Sequence, residues 1–331
     1  MRRAWGLTVI VVVLGATPAL AQRRRAAPNT TGVSPEQQAV LQFNQTRDPG
    51  MKLQQAREFA LHYPASKFRA EVVRQAALTI SGIPDNGQKI SFAEKYLSFF
   101  KEPPSADYVM PALIDGYVRA KRVDEAFERA AAYLLRNPDD LPSLALLALA
   151  GMDQVKANQT KFSAQTETYG AHAVELIEAG RWPQDITDAE WAIYTTKWLP
   201  RLCQGTAVLE GLAGKTAAAG ALIEKAIALE PHDPFNYIVQ GQILNDEYTA
   251  LAEKFRRMPT GKERDDTMKQ ALAKMDRVIE VYAHALGLAE GKPAFQEVRD
   301  KLMGDLESYY KYRHGGSAAG LQHLIDKYKQ P

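Results

Sequence analysis

Apolar residues recur three and four positions apart along most of the chain, which is the spacing of one face of an α-helix. Two such runs are Phe127, Ala130, Ala131 and Leu134, and Leu222, Ile223, Ala226 and Leu229. The sequence has no sustained alternation of apolar and polar residues between Asn-Gly or Asp-Gly turns, which is the pattern of a half-buried strand. Prolines and glycines end the helical runs at short intervals. The spacing therefore predicts an all-α chain of about fourteen helices.

The helices follow one another in a repeating arrangement of large and small residues. One helix carries large residues at Met110, Leu113 and Tyr117, and the next begins near Ala126 and ends before Pro138. A similar arrangement returns at Ala219, Ile223, Ala226 and Pro231, and then at Tyr237, Gly241 and Leu244. Small residues let two helices approach closely, and large residues fill the space between them. Such a repeat predicts antiparallel helix pairs that stack into a solenoid with a continuous core.

These residues resemble the motif of the tetratricopeptide repeat family, whose unit is a helix pair of about 34 residues. Ala-x3-Ile-x2-Ala-x4-Pro over 219–231 matches the second helix, and Tyr-x3-Gly-x2-Leu over 237–244 matches the first helix of the following unit. The segment 56–64, Ala-x2-Phe-Ala-x2-Tyr-Pro, is similar to turns of periplasmic members. The resemblance implies an all-α, right-handed superhelical array of antiparallel helix pairs, a tetratricopeptide-like (TPR-like) α-solenoid.

The array is expected to be irregular in the middle and at the C-terminus, because the helix-ending Pro64, Pro138 and Pro231 are not spaced by multiples of about 34 residues. The predicted organisation is a signal peptide at 1–21, a disordered basic and polar leader at 22–34, and a TPR-like helical repeat domain at 35–331. In that domain the better-matched units are about 51–82, 107–140 and 203–250, and the divergent regions are 151–202 and 260–331. The stretch 151–205 is either a divergent helix pair or an insert.

The N-terminus predicts export. Arg2 and Arg3 are followed by an apolar run, Leu7–Leu14, and by small residues at Ala19 and Ala21. The apolar run is shorter than the roughly 20 residues of a membrane-spanning helix. Cleavage after Ala21 would release a periplasmic or secreted protein. No cysteine follows that position directly, so no lipid anchor is expected, and the later apolar runs are too short to predict a transmembrane segment in the mature chain.

The charge of the mature chain is balanced. The whole sequence has 41 Lys and Arg against 39 Asp and Glu, and removal of Arg2 and Arg3 leaves 39 of each. Because nucleic-acid binding proteins neutralise phosphates with an excess of Lys and Arg, nucleic acid is not expected as a partner.

No group of residues in the sequence points to catalysis, a cofactor or a metal. Gly214-Lys215-Thr216 matches the end of a phosphate-binding loop, but that loop needs a glycine where Leu209 stands and a strand before it. We therefore interpret Gly214 as the turn glycine between two helices. The six histidines are scattered, without metal-ligand spacing, and the single cysteine, Cys203, is predicted to be a small buried residue. The sequence thus predicts a non-enzyme without cofactors.

Trp182, Trp191, Tyr194 and Trp198 form the densest aromatic cluster of the mature chain. Aromatic side chains serve both as core residues and as anchors of protein interfaces. The spacings of three and four within 191–198 favour one buried helix face.

The family resemblance implies a concave groove that binds a protein or peptide. By this resemblance, the groove-facing helix positions of the family correspond to Asp115 and Arg119 in one unit, and to Gln242, Asn245 and Asp246 in another. The expected function is a non-catalytic periplasmic or secreted scaffold that binds other proteins or peptides, with envelope assembly as one role. The alternative is an envelope enzyme or small-ligand-binding protein with a pocket built by the divergent regions.

Overall fold

The structure, a computed structural model, describes residues 33–183 and 186–329. The expected signal peptide at 1–21 and the leader up to residue 32 lie outside the described residues. Every regular element in the described ranges is helical, which confirms the predicted all-α class. None of these helices is both long enough and apolar enough to cross a membrane.

Fifteen α-helices fall within the described residues. They are α1 (Pro35–Gln45), α2 (Pro49–His62), α3 (Arg69–Ser81), α4 (Asn86–Phe99), α5 (Met110–Arg119), α6 (Val123–Arg136), α7 (Leu141–Lys156), α8 (Ser163–Glu178), α9 (Asp188–Ile193), α10 (Leu199–Leu212), α11 (Thr216–Leu229), α12 (Pro234–Arg257), α13 (Lys262–Ala289), α14 (Gln296–Arg313) and α15 (Leu321–Asp326). Short 3₁₀ helices precede α5 and α14, and a π-helical turn, Tyr194–Trp198, joins α9 to α10.

Consecutive helices pack as pairs joined by short turns: α5 with α6, α7 with α8, α10 with α11, and α12 with α13. The first helices of these pairs also contact one another in order, from α5 to α7, α7 to α10 and α10 to α12. We call this row of α5, α7, α10 and α12 the first-helix layer. Stacked helix pairs with such a layer are the arrangement of a TPR-like solenoid, so the structure confirms the predicted fold class.

The repeated residues of the sequence form the contacts inside the pairs. Leu113 and Tyr117 of α5 are buried, and Ala126 of α6 is fully buried where the two helices approach. Ala219 and Ile223 of α11 are buried in the same way. Burial of a large apolar side chain contributes roughly 1.5–3 kcal/mol, so these contacts hold each pair together.

The buried residues form two clusters that meet at α12. The larger N-terminal core runs from Phe43 to Ile243, and the smaller C-terminal core runs from Tyr237 to Ile325. The α12–α13 hairpin carries the boundary between them, and α14 and α15 pack on α13. The molecule therefore resembles other solenoids in that each part contacts only its neighbours.

One irregular segment of the array's middle directly precedes α10 and is continuous with it. Helices α7 and α8 form an ordinary pair, and α8 packs directly on α10. Residues 188–198, which comprise α9 and the π-helical turn, lie between these elements in the chain and contact α10. We call residues 188–198 the aromatic insert.

The C-terminal end of the chain packs on α13 through a stack of three rings. The imidazole of His284 lies 3.8 Å from the ring of Tyr237 in α12 and 4.1 Å from the ring of Tyr328. The hydroxyl of Tyr328 also donates to Glu280 on the preceding turn of α13. Burial is the main reason why the pKa of His284 lies below its ordinary value. The nearby positive charge of Lys327 also lowers this pKa, while Glu280 opposes the shift.

We expect the stability of the C-terminal core to decrease as the pH falls below about 6.5, the ordinary pKa of an unfolded histidine. The lowered pKa of folded His284 means that the unfolded chain takes up a proton first, so acid favours unfolding. His284→Phe keeps a ring in the stack and removes the titration. Urea unfolding of wild type and variant at about pH 7.5 and about pH 5 tests the prediction, which fails if both lose stability equally.

Candidate functional site

A groove with an apolar floor runs along the first-helix layer between α7 and α10, with a volume of about 210 Å³. Its apolar side chains are those of Leu149, Met152, Val155, Val208, Leu209, Leu212 and Phe235. The α7 residues are three positions apart, and Val208 and Leu212 of α10 are four apart, so each set lies along one side of its helix. Phe235, at the start of α12, closes one side. We call this feature the apolar groove.

A glycine lies where the two walls of the apolar groove approach each other. Gly205 of α10 lies against the side chain of Met152 of α7, and a Cβ atom at position 205 would fall less than 3.0 Å from that side chain. A larger residue at this position would displace the side chain of Met152 from the floor of the groove. Leu212 at the edge of the groove is 73% exposed, so it continues the apolar lining of the groove to the surface.

Polar contacts tie α10 to α12 beside the groove. Gln204 donates from Nε2 to Asp233 at 2.7 Å and to Asn236 at 2.8 Å. Asp233 also caps the N-terminus of α12 by accepting from the backbone of Phe235. These hydrogen bonds hold the start of α12, which closes the groove through Phe235, in a fixed position beside α10.

A second depression, which we call the polar cavity, has a volume of about 470 Å³ and is formed by α5, α7 and the aromatic insert. A charged triad lies on its wall: Lys89 donates from Nζ to Asp115 at 2.6 Å, and Arg119 donates from Nε to the same carboxylate at 2.5 Å. Lys89 is buried, and a buried ammonium requires such a partner. The carboxylate of Asp115 is therefore already neutralised from two sides.

The aromatic insert forms the opposite wall of the polar cavity. Trp182 stacks on Trp191 at 5.4 Å, Trp191 on Tyr194 at 5.9 Å, and Tyr194 contacts Trp198 at 4.6 Å. Burial raises the pKa of Tyr194 to about 12, and its ring is part of the core, as the spacing predicted. Trp182 is partly exposed, so the cluster is only partly a core element.

Glu190 of the insert also lines the polar cavity, and one oxygen of its carboxylate is hydrogen-bonded within the chain. Oε2 accepts from the backbone N–H of Thr187 at 2.7 Å and from its hydroxyl at 2.8 Å. The first of these bonds and the bond that the backbone N–H of Glu190 donates to the Thr187 hydroxyl form the capping box of α9. The hydrogen bonds to Oε2 lower the pKa of Glu190. The polar cavity therefore has two carboxylates, Asp115 and Glu190, and both accept hydrogen bonds from other residues of the chain.

The structure places the five groove residues expected from the sequence at two separate sites. Asp115 and Arg119 line the polar cavity, and none of the α12 residues lines it. Gln242 and Asp246 are exposed on α12. Asn245 accepts a hydrogen bond of 2.6 Å from the hydroxyl of Tyr309 in α14, so it contributes to packing within the chain.

The residues of the apolar groove were missed by the sequence reasoning. The available signal was a second apolar stripe on α10, which includes Val208 and the exposed Leu212, beside the stripe that packs on α11. The sequence reasoning also left Arg201 aside, although it lies at the groove.

Two sequence features that could suggest chemistry, the Gly214-Lys215-Thr216 triplet and Cys203, have structural roles. Gly214 has a positive φ of 75° in the turn between α10 and α11, which confirms its interpretation as a turn glycine. Lys215 is paired with Glu167 and, at 3.2 Å, with Glu210. Cys203 is buried, as predicted, and burial raises the pKa of its thiol to about 11. Within 33–183 and 186–329, no three His, Cys, Asp or Glu side chains are grouped as a metal site requires.

Comparisons with known proteins find similarity at the level of solved structures. The sequence matches no protein-family model and no curated protein. A tetratricopeptide repeat protein from Parabacteroides merdae is 12% identical, with a TM-score of 0.35 over 81% of this chain and 98% of that chain. A monomeric mutant of IFIT1 with m7Gppp-AAAA is 15% identical, with a TM-score of 0.35 over 84% of this chain and 55% of that chain. The TPR-like fold assignment rests on the helix pairs described above.

Proposed function

We propose that this chain is a non-catalytic scaffold that binds a peptide segment of another protein in the apolar groove. The observation that carries this proposal is the row of apolar side chains along the first-helix layer, most of them partly exposed, with Leu212 largely exposed at its edge. Large apolar surface is left exposed mainly where a partner covers it. Neighbouring first helices with the same direction provide an extended surface for a chain segment.

The export signal expected at 1–21 puts the partner in the periplasm or outside the cell, where a role in envelope assembly is one possibility. The alternative function, an enzyme or a receptor for a small ligand, would use the polar cavity. It has less support, because the carboxylates of Asp115 and Glu190 are both committed to hydrogen bonds and ion pairs within the chain. A general acid or base needs a carboxylate that can exchange a proton with substrate.

The test uses an unbiased library of displayed peptides and the chain from Gln22 onwards. Peptides that bind are synthesised, and their affinities are measured by fluorescence anisotropy. We expect Leu212→Glu to weaken binding about 10-fold to 100-fold, because it removes the roughly 1.5–3 kcal/mol that burial of a leucine contributes. Leu212 is exposed in the free protein, so folding should not change.

The matched control is Leu61→Glu, which makes the same change at a residue of α2 that is 66% exposed and lies outside the groove. It should bind like the wild type. If no peptide binds, or if both variants bind equally well, the apolar groove is not the site.

A further inference from the structure

The charged residues of the apolar groove carry a net positive charge. Lys156, Arg201 and Asp153 are its charged lining residues, which leaves one excess positive charge. Arg201 forms no ion pair with any residue that the structure describes. Asp153 and Lys156 are 4.0 Å apart and both are more than half exposed, so this pair contributes little. The groove thus presents two cations that are available to a partner.

The two cations lie at different positions along the groove. Helices α7 and α10 each begin a helix pair and so run in the same direction, with Gly205 opposite Met152. Arg201 lies four residues before Gly205, and Lys156 lies four residues after Met152. At about 1.5 Å per residue, these positions are separated by roughly 12 Å along the groove. Leu149, Met152, Val155 and Val208 fall between them, and Leu212 lies about one turn beyond Lys156.

We infer that the peptide bound here has an apolar residue between two acidic residues, in the pattern acidic-x-apolar-x-acidic. This inference rests on the function proposed above and specifies its ligand. An extended chain rises about 3.3 Å per residue, so acidic residues four positions apart span about 13 Å, which matches the separation of Arg201 and Lys156. In an extended chain, residues i, i+2 and i+4 point to the same side. The apolar side chain then enters the floor of the groove while both carboxylates reach the cations.

Each contact has a defined role in this arrangement. The guanidinium of Arg201 binds the first carboxylate, and its planar donors allow two parallel hydrogen bonds. The ammonium of Lys156, which lies 6.0 Å above the ring of Phe235, binds the second. Opposite charges at the ends fix the register of the peptide, and the apolar residue supplies most of the affinity.

The experiment compares three blocked, fluorescein-labelled peptides that share glycine-serine flanks. Their cores are Glu-Gly-Leu-Gly-Glu, Gln-Gly-Leu-Gly-Gln and Glu-Glu-Gly-Gly-Leu, and the third keeps the composition but loses the register. Affinities for the chain from Gln22 onwards are measured at low and high salt. We expect the first peptide to bind at least 10-fold more tightly than the other two, and this advantage to shrink at high salt.

Charge variants assign the two carboxylates. Arg201→Gln and Lys156→Gln should each remove most of the preference for Glu over Gln, while Arg201→Lys should retain part of it. Arg257→Gln, at the exposed end of α12, is the matched control and should behave like the wild type. Decanoate is included as a competitor, because an aliphatic carboxylate offers similar chemistry without a peptide.

The outcomes separate this inference from the proposed function. If library peptides bind in a manner sensitive to Leu212→Glu but the Glu, Gln and out-of-register peptides bind equally, the acidic pattern is wrong and the peptide-binding function stands. If decanoate binds more tightly than every peptide, the groove is a site for aliphatic acids. If nothing binds at millimolar concentration, both the inference and the proposed function are wrong.

Discussion

Gly241→Ala is expected to destabilise the protein by about 3 kcal/mol, at the upper end of the range for overpacking a core. A Cβ atom at position 241 of α12 would fall less than 3.0 Å from the ring of Tyr282 in α13. That ring is buried in the C-terminal core, where close packing resists its displacement, so the extra methyl group strains the α12–α13 contact. Urea unfolding followed by circular dichroism measures the loss.

The control for this variant is Gly220→Ala in α11. No atom lies within 4 Å of a Cβ at position 220, so alanine should stabilise that helix by about 0.5–1 kcal/mol through its higher helix propensity. Opposite signs for the same substitution would show that contact with Tyr282 decides the outcome. Equal effects would mean that α12 and α13 do not approach as closely as described.

Leu113→Ala is expected to cost about 2–5 kcal/mol, because it opens a cavity in the core of the α5–α6 pair. Leu113 is fully buried. Leu135→Ala, in the neighbouring α6, is the control: Leu135 is 85% exposed, and its truncation should change stability by less than about 0.5 kcal/mol.

Hydrogen exchange of the backbone amides shows which helices lose stability in Leu113→Ala. Each helix pair of a solenoid contacts only its neighbours, so protection should fall in α4 to α6 and remain in the C-terminal core around Leu286. A uniform loss of protection along the chain would contradict the division into two cores that meet at α12.

The apolar groove explains how a scaffold of this kind can select a partner. Its floor is apolar, and its walls carry Arg201 and Lys156 about 12 Å apart, so affinity and register come from different residues. The polar cavity does not offer free charges of this kind to a partner, because Lys89 and Arg119 both pair with Asp115.

The helices and their buried faces were predictable from the sequence. Spacings of three and four identified most of the buried sides of α6 and α11, and the motif positions Leu113 and Ala219 are fully buried as expected. Two members of these runs, Ala131 and Leu229, are exposed, so the buried stripe on each helix is narrower than the spacing predicted. These properties depend on neighbours within one or two turns, so short-range periodicity contains them. Gly214 was predictable for the same reason, because a turn is a local structure.

The candidate site depended on the tertiary structure. The apolar groove joins Leu149 of α7, Val208 of α10 and Phe235 of α12, which are far apart in the chain. Asn245 reads as a surface residue in the sequence, yet it bonds to Tyr309 of α14. The periodicity of one helix identifies which of its sides is buried, but a groove forms where the remaining sides of several helices meet. That meeting depends on how the helices pack, which at α7 and α10 includes the contact of Gly205 with the side chain of Met152.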